Sequence, residues 1–304
     1  MTDEQQKFFE RYPELHHYTK WDSLRGIFTC NTLWATHFER LNDRTEVVHM
    51  EEYLMQCVSK NRSERRKVQK EIGRLYHAQT FPRFVTPYII SFSTHTAGSE
   101  FDRDNGIESQ WIKYGRDGYA IVFDTERLDG LINREFETCA YTQTTLSNVI
   151  YNFGIDHFKL VFGALIDEAR WFLFTLPKDK EFNRSVQFIG DFIKSTVSFK
   201  HSKWSDEYEV RIVACPMKTA DRKFVSDHDP DDIKALRSRR IKEVHHIGKP
   251  LIKLFEDIGM DLPIKRIIVA PGKEQERLWE QAAALVGGKV PLHLSKVELT
   301  TSSP

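Results

Sequence analysis

Three short stretches carry side chains able to do chemistry together. In SDEYEVRIVA, residues 205–214, Glu207 and Glu209 stand two apart and Arg211 two further on. Read as a β-strand, that alternation sets all three on one face. A rise of about 3.3 Å per residue puts the carboxylates roughly 6–7 Å apart. At that spacing both stay ionised, and each can address a different part of one ligand. The second stretch is SFS, where Ser91 and Ser93 share a face by the same alternation. The third is HHYT, where His16, His17, Tyr18 and Thr19 end another strand-like run. Each has a structural competitor. His17 reads equally as a half-buried histidine bonded to backbone, and the serines as hydroxyls capping a turn. The Glu209–Arg211 pair reads as a wet strand face worth under about 1 kcal/mol.

The elements that must position these groups are short and mixed. ELHHYT (14–19), TLWATHF (32–38), TPYIISFS (86–93), DGYAIVFDT (117–125) and REFETCAYT (134–142) read as strands from their β-branched and aromatic content. WDSLRGIFTCN carries Leu24, Ile27 and Phe28 at helical spacing. Asn42 and Asp43 suit the cap of a helix beginning LNDRTE. KNRSERRKVQKEIGRLYHAQ is a charged helix, read as a solvated face with nucleic-acid backbone contact as the alternative. GIESQWIKYG is a short helix leading to Tyr114 in a loop-like KYGRDG. From Leu146 to about Lys200 the pattern is helical, and the final third returns to strands around KEQERLWEQAAALVGG. The expectation is one α+β domain over 1–304, with a helical insertion at about 146–200 between sheet halves.

Bulk properties remove several function classes. Lys plus Arg and Asp plus Glu balance at 44 each, so no global charge draws the chain to nucleic acid or to an anionic membrane. Four scattered cysteines give neither a zinc knuckle nor a disulfide scaffold. The polar start MTDEQQKFFE is no secretory signal, and LVFGALIDEARWFLFTL is broken by Asp167, Glu168 and Arg170. A soluble, cytoplasmic protein without membrane partners is expected. The sequence has no G-x-G-x-x-G, phosphate loop, H-E-x-x-H or G-x-S-x-G motif. The doublets His16–His17 and His245–His246 point to opposite strand faces, so no metal site is expected.

Taken in order, LHHYT, TLWAT, LND, SFS, QWIKYG with GYAIVFD, DEYEVRI, and LPIKRIIVAPG with VPLHLS resemble the bacterial domain-of-unknown-function family 2971 (DUF2971), from about Leu15 to Ser295. The succession of His, S-x-S and E-x-E also resembles the signature of the ADP-ribosyltransferase superfamily. That resemblance implies a split β-sheet core and NAD as co-substrate. It implies that His17, or else His16, holds the adenosine-side ribose or phosphates, with Tyr18 and Thr19 beside it. Ser91 and Ser93 would brace the nicotinamide end and the catalytic carboxylate. Glu209 would take the nicotinamide-ribose 2′-hydroxyl, and Glu207 would orient or deprotonate the acceptor, a nucleic acid or protein. Tyr18, Trp34, Trp111 and Tyr114 are placed to stack on a base; core packing is the simpler reading of the two tryptophans. The role implied is a toxin-type effector in bacterial phage defence or stress, with a possible antitoxin protein. Two other readings remain: a non-catalytic nucleotide or ligand sensor on the same fold, and a metal-dependent nuclease using His17, Asp43 and Glu46.

Overall fold

The computed structural model describes residues 3–41, 45–77, 86–95, 99–174, 182–219, 222, 236, 238–256 and 258–300. In chain order it forms α1 (Asp3–Arg11), β1 (Glu14–Thr19), α2 (Trp21–Cys30), β2 (Leu33–His37), α3 (Thr45–Val58), α4 (Arg62–His77) and β3 (Tyr88–Ser93). Next come α5 (Glu100–Asn105), α6 (Glu108–Gln110), β4 (Tyr119–Asp124), α7 (Thr125–Thr138), β5 (Tyr141–Asn148), β6 (Ile150–Asn152), α8 (Ile155–Phe174) and α9 (Phe182–Val197). The last group is β7 (Phe199–His201), β8 (Glu209–Pro216), β9 (His245–Ile247), β10 (Lys249–Leu254), β11 (Ile264–Val269), α10 (Gln275–Val286) and β12 (Leu292–Leu294). The arrangement is α+β.

A ten-stranded sheet runs β12-β11-β4-β1-β3-β2-β10-β9, with β8 on β3 and β5 on β8. Strand β3 is the hub. All six of its residues pair with β8 along one edge. On the other edge β2 takes Tyr88 and Ile89, and β1 touches only Ser93, through His16. The sheet therefore forks beside β3, and between the branches the Ser91 carbonyl is capped by a side chain, His17 Nδ1, at 3.0 Å.

Each sheet face buries its own apolar core. Leu15, Ile90, Phe92, Val210 and Ile212 pack with residues of α2, α7 and α10. Ile89, Val213 and Cys215, of opposite parity, pack with α3, α8 and α9. A strand covered on both sides tends to be apolar on both sides; β8 is buried at every position, and Glu209 and Arg211 are its charged exceptions.

Two expectations about elements fail. REFETCAYT is not a strand through its first half. The Asp124 carboxylate accepts the Arg127 N–H at 3.0 Å and starts α7, whose buried Leu128, Leu131, Ile132 and Glu135 keep helical spacing to Thr138. The segment 146–200 is also not helical throughout, because β5 and β6 occupy its beginning and β7 its end. Thr144, Thr145 and Leu146 pair with β8, where sheet hydrogen bonding overrides local pattern. The Asn42–Asp43 cap lies outside the described residues.

The turn that follows α6, Trp111–Gly115, is wound as a π-helix, and its Trp111 is fully buried with its ring edge-on to Tyr18, centroids 4.9 Å apart. Gly115 makes that approach possible: a Cβ there would collide with Trp111 Cε3 and come within 2.9 Å of Tyr18 Cδ1. Gly115→Ala is expected to lower the unfolding free energy by about 1–3 kcal/mol, the usual range for forced overpacking. Chemical denaturation of the variant measures this; an unchanged midpoint refutes the packing argument.

Candidate active site

The site is built around one lysine. Lys200, buried on β7, places Nζ 2.6 Å from Glu207 Oε2 and 3.0 Å from Glu209 Oε2. Arg211 closes the other side of Glu209, with Nε 2.7 Å from Oε1 and Nη2 3.0 Å from Oε2, while its Nη1 donates to the Val197 carbonyl at 2.6 Å. The wet strand face expected for this pair is absent; Glu207, Glu209, Lys200 and Arg211 are all buried. Such a cluster persists only if its charges satisfy one another, because removing one partner strands a buried charge at about 3–5 kcal/mol.

Glu207 is also not on the strand. It ends a 3-10 turn over Ser202–Glu207, and Tyr208 then adopts the left-handed region at φ 44°. That inversion swings the chain into β8 at Glu209, and the Tyr208 carbonyl is held by Thr94 N–H at 2.9 Å and by Thr94 Oγ1 at 3.1 Å. The two carboxylates thus meet at Lys200 through a turn rather than through strand alternation. The Tyr114 hydroxyl donates to Glu207 Oε1 at 3.0 Å, and Lys113 pairs with Asp206 at 2.9 Å, tying the π-helical turn to the 3-10 turn.

These groups line a cavity of about 540 Å³. His16, His17, Tyr18, Ser91, Ser93, Tyr114, Glu207 and Glu209 all border it; Thr19 does not. Trp34, one of the rings the sequence offered for stacking, also lines it, as do Arg40, Lys203, Lys249 and Trp204, which were not anticipated. Trp34 is 47% exposed, contrary to the core packing expected for it, whereas Trp111 is indeed core. The signal for Trp34 lay in its alternation with buried Leu33 and Ala35, which assigns it to the other face of β2. Lys200 carried no comparable signal, because its partners lie seven and nine residues on, across a turn.

Register decides between the adjacent histidines. His16 stands opposite Ser93, and Ser93 opposite Glu209, so His16, Ser93 and Glu209 occupy one face of three neighbouring strands. His17 has the opposite parity and reaches the cavity through the fork. Its Nδ1 must donate to the Ser91 carbonyl, which fixes Nε2 as the lone-pair nitrogen. Burial lowers the His17 pKa and the Ser91 carbonyl opposes this. The Tyr18 hydroxyl accepts the Ile107 N–H at 2.8 Å, and burial raises its pKa. Burial and then the Glu207 charge raise the Tyr114 pKa.

Glu209 is a fixed anion. Burial alone would raise its pKa, but the charges of Arg211 and Lys200, with hydrogen bonds from Arg211 and the Ser91 hydroxyl, hold it at about 2. An ionised carboxylate has about four acceptor positions, and these four donors fill them. Among the described residues, no group of three or more His, Cys, Asp or Glu side chains is placed to hold a metal ion. Asp43 and the Glu46 side chain of the nuclease reading lie outside the described residues.

Fold and site together define an α+β protein with a cavity at a fork in its sheet, lined by more cations than carboxylates. Residues 110–212 match the sequence model of a family described as protein of unknown function, DUF2971. That span carries Tyr114, Lys200, Glu207, Glu209 and Arg211, and is narrower than the 15–295 over which the motifs show the resemblance. No curated protein and no solved structure matches the chain.

The buried groups set an acid limit. Burial, then the Arg266 charge, lowers His16 to about 3 against opposition from Glu14 and Asp104. The folded state therefore binds that proton less readily than the unfolded chain, and stability declines as pH falls from about 6.5 towards 3. Glu14, with its pKa also held near 2 by Arg266 and Lys265 against burial, and Glu209 contribute stability that is full above about 4.5 and lost as pH falls through 2. Unfolding free energy measured from pH 8 to 3 should begin to fall near 6.5 and steepen below 4.5. His16→Leu should flatten the upper part; an unchanged profile in that variant contradicts the assignment.

Proposed function

We propose that this protein is an NAD-consuming ADP-ribosyltransferase acting on a macromolecular acceptor. The observation that carries the reading is the composition of this cavity: the carboxylates of Glu207 and Glu209 at a sheet fork, with Ser91, Ser93 and His17 beside them and five cationic side chains against two acidic ones around the wall. That excess suits a pyrophosphate. Trp34 and Tyr114 offer rings for stacking on a base. The volume is within the range of roughly 300–1,000 Å³ for ligand pockets. The forked sheet supports an ADP-ribosyltransferase-like split core.

The chemistry asked of the site is modest. The bond between the ribose anomeric carbon and the pyridinium nitrogen breaks, its electron pair goes to that nitrogen, and nicotinamide leaves neutral. Positive charge builds on the ribose, as in sugar hydrolysis generally. A rigid carboxylate stabilises that charge more in the transition state than in the substrate. Glu209 is rigid because Arg211 and Lys200 hold it. Ser91 is a neutral donor to it, so a ribose hydroxyl can replace the Ser91 hydroxyl and leave both ion pairs intact. Glu207, bonded to the Tyr114 hydroxyl, receives the acceptor's proton or orients the acceptor.

The exposed basic side chains Arg62, Arg65 and Arg66 on α4 favour a nucleic acid as acceptor, with protein as the alternative. A toxin-type role in phage defence or stress, checked by an antitoxin, follows from such an activity. Four free cysteines, and the finding that no helix of the described residues is long and apolar enough to cross a membrane, support a cytoplasmic setting. The saturation of Glu209 favours one second reading, a ligand sensor that binds without turnover.

Labelled NAD added with a cell lysate should release nicotinamide and label either the protein or the nucleic-acid fraction. Glu209→Gln and Glu207→Gln should each reduce the rate about a hundredfold or more, as for other electrostatic stabilisers. Ser91→Ala, which spares the ion pairs, controls for folding and should reduce it less. Nicotinamide release no greater than without protein ends the transferase reading; NAD binding without release establishes the sensor.

A further inference from the structure

Three buried polar atoms, on two residues that line the cavity, have no hydrogen-bond partner among the described residues. Both ring nitrogens of His16 and the Nε2 of Gln110 are buried and make no hydrogen bond. His16 is 0% exposed and Gln110 3% exposed. Buried polar groups are almost always hydrogen-bonded, and an orphan costs its full desolvation. Three orphans around one cavity are therefore best explained by a ligand that completes them.

The fold brings the two residues together. Tyr18, two residues along β1 on the face of His16, accepts the Ile107 N–H and packs on Trp111; Gln110 lies between those two contacts in sequence. The Ser109 hydroxyl donates to the Asp206 carbonyl at 3.3 Å, holding the same turn against the Glu207 segment. Gln110 and His16 thus line the same cavity as Glu207 and Glu209.

The chemistry of the orphans specifies their complement. A neutral imidazole offers one N–H donor and one lone pair, and the Gln110 amide offers donors. The wall therefore asks for a group with an acceptor oxygen able to take two hydrogen bonds and an adjacent N–H donor, with no charge. A primary carboxamide has that pattern, and a carboxylate lacks the donor. Strands lie about 4.8 Å apart, so His16 sits about 10 Å from the Glu209 backbone with Ser93 between. A pyridine carboxamide can reach the wall while its attached ribose lies over Ser93 and Glu209.

We propose that His16 and Gln110 form a carboxamide-recognition wall that selects the amide end of the dinucleotide over its acid counterpart. The inference rests on the transferase reading for the identity of the ligand, though not for its turnover. It gives His16 a role distinct from that of its neighbour His17.

Calorimetric titration with NAD, its nicotinic-acid analogue and ADP-ribose tests this. The wild type should bind NAD about tenfold more tightly than the acid analogue, a difference of one well-made hydrogen bond. Gln110→Leu and His16→Leu should each weaken NAD about tenfold and leave ADP-ribose, which lacks the amide, within twofold. His16→Leu should also raise the melting midpoint, because it removes two unsatisfied buried atoms. Equal weakening of NAD and ADP-ribose, no weakening of either, or no preference for the amide overturns the proposal; so does a lowered midpoint in His16→Leu. Selective binding without nicotinamide release keeps this inference and rejects the transferase reading. Release with unselective binding does the reverse.

Discussion

The structure depends on the ammonium of Lys200, which sits between the carboxylates of Glu207 and Glu209 with Arg211 behind them. Two buried carboxylates this close would repel each other and lose their hydration, and one would take up a proton. The two buried cations offset that penalty, and with them Glu209 is held well below the usual carboxylate range. The arrangement fixes two carboxylates and their two cations in place in the wall of a cavity that Arg40, Lys203 and Lys249 also line. It also ties together four pieces of chain, the end of α9 through the Val197 carbonyl, β7, the 3-10 turn and β8.

The cavity exists because the sheet forks. Strand β3 gives one edge entirely to β8, so β1 and β2 share what remains of the other. Backbone groups in the fork lack strand partners, and side chains such as His17 take over their hydrogen bonds. The opening lies against the face that carries Ser91, Ser93 and Glu209. Each sheet face is sealed by its own apolar core, which keeps the polar groups in the fork from collapsing on one another.

Strands β1 and β3 and helices α2, α4 and α10 are legible in the sequence, because each has a simple period and a punctuating turn residue. The polar clusters HHYT and SFS are legible for the same reason, polar side chains within a strand pattern, whereas EYE shows its two carboxylates but not their geometry, since Glu207 lies on the 3-10 turn. The start of β5 is not legible, since Glu135 continues the α7 pattern and only the Asp124 cap shows where that helix began. Trp34 reads as core until β2 is seen to carry it on the face that borders the cavity.

Residue type and spacing by themselves determined an α+β chain with three polar clusters and no metal, phosphate-loop or dinucleotide motif, because those features are local and survive in one dimension. Only the tertiary structure decided that Glu207 reaches Glu209 through a left-handed Tyr208, that Lys200 joins them, and that His16 rather than His17 shares their face. Register and long-range ion pairing are settled by burial across strands distant in sequence. A slip of one residue would reverse every face, and no local pattern encodes which partner a buried charge will find.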